Sequence, residues 1–113
     1  MSQINEYINV DEALGRINGN ATILKTLLKS YTRNTYMDQL ESELAAGDTA
    51  AAAKTAHTIK GMSGNLSLTK VYEKSLLLEE QLKSNFSYTD SLQSLKDTVA
   101  QTLACIDTLV ETL

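Results

Sequence analysis

Apolar residues recur every three or four positions over most of the chain, which is the spacing of an amphipathic α-helix. In the segment at residues 21–46 these positions are Leu24, Leu27, Leu28, Tyr31, Leu40 and Leu44. The C-terminal segment has the seam of a bundle helix, formed by Leu92, Leu95, Val99, Leu103, Ile106, Val110 and Leu113. Few aromatic or β-branched residues alternate as they would in a strand. The pattern predicts an all-α protein.

Capping signals indicate where the first helices begin and end. We expect a short helix over residues 11–17 with Asp11 as its N-cap. The turn Gly19-Asn20 then leads into one long helix at residues 21–46. The pair Gly47-Asp48 closes that helix and caps the next one, because glycine suits the position after a helix and aspartate suits an N-cap. These two long helices are therefore predicted to form a tight hairpin.

The second half of the chain holds three further predicted helices. The first of them covers residues 49–66. Ser67 can cap the next, which extends to a turn at residues 84–87. Ser87 and Asp90 resemble a capping box for the last helix. Short connections of this kind make consecutive helices antiparallel.

Length and composition support one small helical domain over residues 1–113, since the chain has no proline and only 5 glycines. The predicted fold is an antiparallel up-down-up-down four-helix bundle with a short extra N-terminal helix. A net charge of −4 and the lack of a Lys/Arg run argue against nucleic-acid binding. No stretch reaches the ~20 apolar residues that span a bilayer. The N-terminus does not resemble a signal peptide, so we expect a cytoplasmic protein.

Cys105 is the only cysteine, which excludes an intrachain disulfide and a cysteine metal cluster. Its neighbours Leu103, Ile106 and Leu109 indicate a partly buried, reduced thiol on the last helix. A nucleophilic cysteine is not expected, because the one histidine of the chain lies on another predicted helix.

That histidine, His57, lies on the polar side of the predicted helix at residues 49–66. At about 100° per residue, the apolar stripe of this helix consists of Ala52, Ala56, Ile59, Ser63 and Leu66. His57 points roughly 140° away from the centre of the stripe. The outer face around it carries Ala50, Ala53, Lys54, Lys60, Gly61 and Gly64. An exposed histidine among such small side chains indicates a docking site.

Gly61 and Gly64 lie inside this helix, where each glycine costs about 1 kcal/mol relative to alanine. One interpretation is close packing of another helix on this Gly-x-x-Gly pair. Both glycines point away from the predicted core, however. We therefore favour the interpretation that they let the backbone of a partner protein approach His57.

The segment His57-Thr58-Ile59-Lys60-Gly61, followed by Gly64-Asn65-Leu66, resembles the core motif of histidine phosphotransfer (Hpt) domains. That motif is His-x-Leu/Ile-Lys-Gly and then Gly-Asn-Leu/Ile. The resemblance extends over nearly the whole chain, at Val71, Ser75, Leu78-Glu79, Leu82, Asp11-Glu12-Ala13-Leu14 and Gly47-Asp48. Ser67-Leu68 stands where the family has Gly-Ala, which we expect to change the turn and not the chemistry. Met62 replaces a smaller residue and points to the side of the histidine.

Hpt domains accept a phosphoryl group on the histidine from the aspartyl phosphate of a receiver domain and pass it to another receiver. The resemblance implies that His57 is phosphorylated and that the chain is a phosphorelay intermediate. Its implied partners are response-regulator receiver domains, a hybrid sensor histidine kinase, or both. The receiver brings its own Mg²⁺ and acidic pocket, so no cofactor or metal site is expected in this chain. No Gly-rich phosphate loop is present, so we expect a phosphocarrier and not a kinase.

Several residues around His57 have expected roles in this function. A solvated imidazole is mostly neutral at cytoplasmic pH, so no internal base is expected. Lys60, one helical turn on, is placed to contact the phosphoryl oxygens. Ala53, Lys54, Gly61 and Gly64 are expected to form the partner-binding surface. We expect a monomer, because the histidine must stay accessible, and a free-standing protein, because the chain starts with Met and holds one complete domain.

Two other functions compete with this interpretation. A helical scaffold could bind a kinase or a receiver without carrying phosphate, although the chain keeps the histidine that degenerate family members lose. An acyl-carrier-like protein would also be small, acidic and helical, and Asp90-Ser91-Leu92 matches the tripeptide around a phosphopantetheine serine. That tripeptide lies late in the chain and is a weak motif.

Overall fold

The computed structural model describes residues 2–84 and 87–113, and over these residues the chain forms a bundle of α-helices. The helices are α1 (Ser2–Tyr7), α2 (Val10–Gly15), α3 (Ala21–Tyr31), α4 (Tyr36–Ala45), α5 (Thr49–Asn65), α6 (Thr69–Lys83) and α7 (Thr89–Thr112). Helices α3 and α4 together form the first member of the bundle, and α5, α6 and α7 form the other three. The prediction of an all-α helical bundle is confirmed.

Helices α5 and α6 pack side by side in antiparallel orientation, and this pairing positions the candidate site. Gly64, near the end of α5, lies against Tyr72, near the start of α6. His57, in the middle of α5, meets Glu79 in the second half of α6. The start of α6 therefore meets the end of α5, and a later part of α6 meets the middle of α5. This order identifies the two helices as antiparallel neighbours.

Buried side chains from all the described helices form one core. Its largest fully buried members are Ile8, Leu24, Leu28, Leu40, Leu68, Leu78, Leu95 and Ile106. On α5, the predicted stripe is confirmed at Ala52, Ala56, Ile59 and Ser63, which are buried, and Leu66 is half-buried. Cys105 is buried, as its apolar neighbours indicated.

The prediction of one continuous helix at residues 21–46 is wrong, because the chain breaks at residues 32–35. The side chain of Asn34 donates a hydrogen bond to the Tyr31 carbonyl and accepts one from the Tyr36 backbone N–H. Side-chain bonds of this kind replace the backbone bonds of a continuing helix. The apolar spacing alone did not reveal the break, because the same spacing continues in α4 after the break.

Two short helices, and not one, precede the bundle. The sequence analysis did not identify α1, which packs on α6 and α7 and buries Ile4. The predicted N-cap of the next helix is also wrong. Asn9 caps α2 by accepting a hydrogen bond from the Glu12 N–H at 3.1 Å, whereas Asp11 lies inside the first turn.

Ser67 is not the N-cap of α6, as the sequence had suggested. Its backbone has a φ of 56°, in the left-handed region, and α6 begins only at Thr69. The Ser67 hydroxyl instead donates a hydrogen bond to the Glu12 carboxylate at 2.7 Å. The left-handed backbone is unfavourable for a residue with a Cβ, and the bond to Glu12 ties this turn to α2.

The predicted capping box before the last helix is wrong as well. Helix α7 begins at Thr89, and its N-cap, Tyr88, makes no side-chain hydrogen bond to the helix. Of the predicted turn at residues 84–87, Asn85 and Phe86 lie outside the described residues.

Candidate functional site

The candidate site is built on α5, whose start agrees with the prediction. Gly47 has a φ of 75°, a conformation that glycine adopts without steric cost. The Asp48 side chain then accepts a hydrogen bond from the Ala51 N–H at 3.0 Å and caps the helix. His57 falls in the middle of α5, and its side chain is 64% exposed, in agreement with the predicted outer face.

Glu79 of α6 lies beside the His57 ring, and the sequence analysis gave it no role. Its side chain is only 5% exposed. One carboxylate oxygen, Oε2, lies 3.0 Å from His57 Nδ1 and 2.9 Å from Lys83 Nζ. The other, Oε1, lies 3.1 Å from Lys60 Nζ in an ion pair without a well-aligned hydrogen bond. One buried carboxylate therefore binds three nitrogen-bearing side chains.

These contacts keep Glu79 ionised. Burial by itself raises the pKa of a carboxyl group, because it disfavours the charged form. The contacts from Lys83, Lys60 and His57 outweigh burial and lower the pKa of Glu79 to about 2. Since an ionised carboxylate can only accept hydrogen bonds, His57 carries a proton on Nδ1. The neutral ring then has its lone pair on Nε2.

The two lysines differ in exposure. Lys60 lies one turn after His57 on α5, and its side chain is 20% exposed. Lys60 was predicted to contact the phosphoryl oxygens, and in the structure its ammonium group is paired with Glu79, the carboxylate that also contacts the His57 ring. Lys83 lies one turn after Glu79 on α6, and its side chain is 63% exposed. Lys83 was not among the predicted site residues, although a helix brings a glutamate and a lysine four residues later into contact.

The two glycines of the motif have different surroundings. Gly61 is exposed, and a Cβ added there would meet no described atom within 4 Å. A Cβ added at Gly64 would lie 3.3 Å from the ring of Tyr72. The interpretation that neither glycine serves helix packing is therefore wrong for Gly64, because α6 places Tyr72 across it. Gly61 leaves the surface beside His57 open, whereas Gly64 lets α5 and α6 approach each other.

A groove of about 730 Å³ lies next to His57, between α5 and α6. It is lined by Thr49, Ala50, Ala53, Lys54, His57, Thr58, Glu79, Leu82 and Lys83. Lys54 is exposed at this groove, as predicted. Ala53 was predicted on the outer face, but only 6% of it is exposed, because α6 packs beside it. Gly64 lines a separate groove, with Tyr72, on the other side of the histidine.

The site offers one exposed imidazole whose Nδ1 is engaged by a carboxylate, with two ammonium groups close by. In residues 2–84 and 87–113, no group of three or more His, Cys, Asp or Glu side chains could hold a metal ion. No helix in this same part of the chain is long and apolar enough to cross a membrane. The arrangement suits nucleophilic attack by Nε2 on an electrophile that carries negative charge.

A comparison with known protein families matches residues 32–112 to the Hpt domain. The matched range covers α4 to α7 and contains Glu79 with its three partners His57, Lys60 and Lys83, whereas α1, α2 and α3 precede it. No curated protein and no solved structure matches the chain.

Proposed function

The chain belongs to the Hpt domain family, and we propose that it carries a phosphoryl group on His57 between receiver domains of a phosphorelay. The observation that supports this role most directly is the 3.0 Å contact between His57 Nδ1 and the Glu79 carboxylate. It fixes the tautomer of a largely exposed ring, so that Nε2 has the lone pair needed for attack.

The first step transfers the phosphoryl group to His57. The Nε2 lone pair attacks phosphorus of the receiver's aspartyl phosphate, the Nε2–P bond forms, and the P–O bond of the mixed anhydride breaks. The electron pair of that bond stays on the receiver aspartate as a carboxylate. The imidazole, protonated on Nδ1 and phosphorylated on Nε2, becomes positively charged, and the Glu79 carboxylate stabilises this charge.

The second step reverses the first with a different receiver. A carboxylate oxygen of the acceptor aspartate attacks phosphorus, and the electron pair of the breaking P–N bond returns to Nε2. His57 leaves as a neutral imidazole, still protonated on Nδ1. No proton has to enter or leave in either step, so the histidine needs no separate general base. The receivers supply Mg²⁺, and this chain acts as the phosphocarrier.

The local charge favours this chemistry. The chain has a net charge of −4, yet the groove beside His57 brings Lys54 and Lys83 together, and Lys60 lies next to it. Among the described residues that line this groove, Glu79 supplies the one carboxylate that faces these ammonium groups. A surplus of positive charge attracts a phosphoryl group and the acidic pocket of a receiver domain. Lys60, one turn after His57 and paired with Glu79, is the residue we assign to electrostatic stabilisation of the phosphoryl group.

The docking surface lies on both sides of His57 along α5. Gly61 leaves the helix backbone open on one side. On the other side, the groove exposes Lys54, and the nearly buried Ala53 and Leu82 form its apolar floor. We assign this surface to a receiver domain, whether free or part of a hybrid sensor histidine kinase. Gly64 contributes to it through its packing with Tyr72.

The test is incubation of the native chain and the His57→Gln variant with a panel of pre-phosphorylated receiver domains. We expect acid-labile, base-stable phosphate on the native chain and none on the variant. Glutamine can still donate a hydrogen bond to Glu79, so the free energy of unfolding should change by no more than about 0.5 kcal/mol, as is typical of surface substitutions. Lys29→Gln, an exposed substitution on α3 outside the groove, is the control and should accept phosphate normally.

Three outcomes would argue against the proposal. Phosphate that persists on the His57→Gln variant would place the modified residue elsewhere. Receivers that bind tightly but never transfer phosphate would favour the scaffold function, with His57 as a contact residue. A large loss of stability in the His57→Gln variant would show that the histidine has a structural role.

A further inference from the structure

We propose that Lys83 is a second phosphoryl-binding residue, which Glu79 holds until His57 is phosphorylated and which then moves from Glu79 to the phosphoryl group. This inference rests on the proposed function of His57. It names a residue that neither the Hpt motif in this sequence nor the periodicity of the chain singled out.

The positions of the atoms make the exchange short. Lys83 Nζ and His57 Nδ1 contact the same oxygen, Glu79 Oε2, at 2.9 Å and 3.0 Å, so the two nitrogens are at most about 6 Å apart. Nε2, which would carry the phosphoryl group, is on the same imidazole ring, with one carbon atom between it and Nδ1. The flexible four-carbon side chain of Lys83 can move its ammonium group from Glu79 to a phosphoryl group there by rotation about its own bonds, without any movement of α6.

Exposure distinguishes Lys83 from Lys60. The Lys83 side chain is 63% exposed, and so is most of the His57 ring, at 64%. Because most of the Lys83 side chain lies in water, its ammonium group is hydrated again when it leaves Glu79, which offsets part of the lost ion pair. The Lys60 side chain is only 20% exposed and lies on the other carboxylate oxygen. Lys83 is therefore the mobile cation of the site, and Lys60 the fixed one.

Glu79 remains paired when Lys83 leaves. The Nδ1 proton of His57 still donates to Oε2, and the Lys60 ammonium group still lies at Oε1. No buried charge is left without a partner, which would otherwise oppose the exchange. Phosphorylation also makes the ring cationic, so its bond to Glu79 becomes stronger as the bond from Lys83 is lost.

Charge supplies the driving force. A phosphoryl group adds about −1.5 to −2 charge at neutral pH and offers three acceptor oxygens. Against this dianion, the single negative charge of Glu79, already shared with Lys60 and His57, is the weaker partner for Lys83. Lysine binds phosphate as a point charge and does not need a fixed fork geometry, so the exposed end of α6 can supply it.

The experiment phosphorylates His57 with phosphoramidate, which requires no receiver: the P–N bond of the reagent breaks, ammonia leaves, and the bond from phosphorus to Nε2 forms. The pH dependence of the ³¹P shift is then measured for the native chain, Lys83→Gln, Lys83→Arg and Lys29→Gln. Lys29 is an exposed lysine on α3 that forms no ion pair in the described part of the chain, so it serves as the matched control.

A nearby ammonium group favours the dianionic form of the phosphoryl group and lowers its second pKa. We expect the midpoint to move up by roughly half a unit to one unit in Lys83→Gln. Lys83→Arg should keep the native midpoint, because it keeps the charge, and so should Lys29→Gln. A merely structural role of Lys83 would not move this midpoint.

The outcomes separate the two proposals. If the native chain is phosphorylated and Lys83→Gln titrates as the native chain does, the Lys83 proposal is overturned and the proposed function stands. If neither phosphoramidate nor any receiver phosphorylates the native chain, the proposed function fails and the role of Lys83 fails with it. Equal shifts in Lys83→Gln and Lys29→Gln would reveal a general charge effect and would also overturn the proposal.

Discussion

Replacement of the Glu79 carboxylate by an amide of the same shape, Glu79→Gln, tests the electrostatic account of the site. The pKa of Glu79 is about 2 in the folded chain, against an ordinary value of 4.5. One pKa unit corresponds to about 1.36 kcal/mol, so the ionised carboxylate contributes about 3 kcal/mol to the free energy of unfolding at pH 7. We expect Glu79→Gln to lose most of this, which lowers the thermal midpoint by about 10 °C in a domain of this size.

The sign of the pH dependence follows from the lowered pKa. Stabilisation by a carboxyl group whose pKa is depressed on folding is fully present above its ordinary pKa, 4.5, and is lost as the pH falls towards 2. Glutamine imitates the protonated carboxyl group at every pH. The difference in stability between the native chain and Glu79→Gln should therefore be large at pH 7 and should shrink between pH 4.5 and pH 2.

The assay is urea or thermal unfolding of both chains over this pH range, followed by circular dichroism. Glu80→Gln is the matched control, because Glu80 is the next residue on α6 and is exposed. Removal of that charge should change the free energy of unfolding by less than about 0.5 kcal/mol. The electrostatic account is refuted if Glu79→Gln is as stable as the native chain at pH 7, or if its deficit does not depend on pH.

Two further predictions concern α5. Asp48→Ala should lower the free energy of unfolding by about 1 kcal/mol, because the Ala51 N–H loses its cap. Asp48→Asn should keep most of this stability in urea unfolding, because asparagine also caps helices. Equal losses in the two variants would show that the cap does not stabilise α5. Gly61→Ala should raise the free energy of unfolding by up to about 1 kcal/mol, since a Cβ meets nothing there. The same variant should slow phosphoryl transfer to a receiver in a single-turnover assay, and an unchanged rate would place Gly61 outside the docking surface.

The helix that carries the candidate histidine was predictable because its signals are local. Gly47 and Asp48 lie within one turn of the start of α5, and both act there as the sequence indicated. The apolar stripe then fixed which side of α5 is buried, and hence the exposure of His57. The break between α3 and α4 was missed because it depends on the side chain of Asn34, which competes with backbone hydrogen bonds, and apolar spacing does not register such bonds.

The errors around the site have a common cause. Helical periodicity describes how one helix divides into a buried and an exposed side, and it treats everything beyond the apolar stripe as solvent. Helix α6 covers a second strip of α5, so Ala53 is buried and Gly64 contacts Tyr72. The turn at Ser67 was misjudged for a similar reason, since its hydroxyl bonds to Glu12, which is distant in the sequence.

The sequence by itself determined that the chain is helical, where α5 begins, and that one histidine faces outward beside Lys60 and Gly61. These properties depend on backbone hydrogen bonds and side-chain spacing within a single helix. Only the tertiary structure decided the environment of that histidine. Glu79 lies 22 residues from His57, and the two meet because α5 and α6 pack antiparallel. The tautomer of the ring and the charge of the site follow from this contact, because a carboxylate that is buried between helices acts on groups that no local pattern connects.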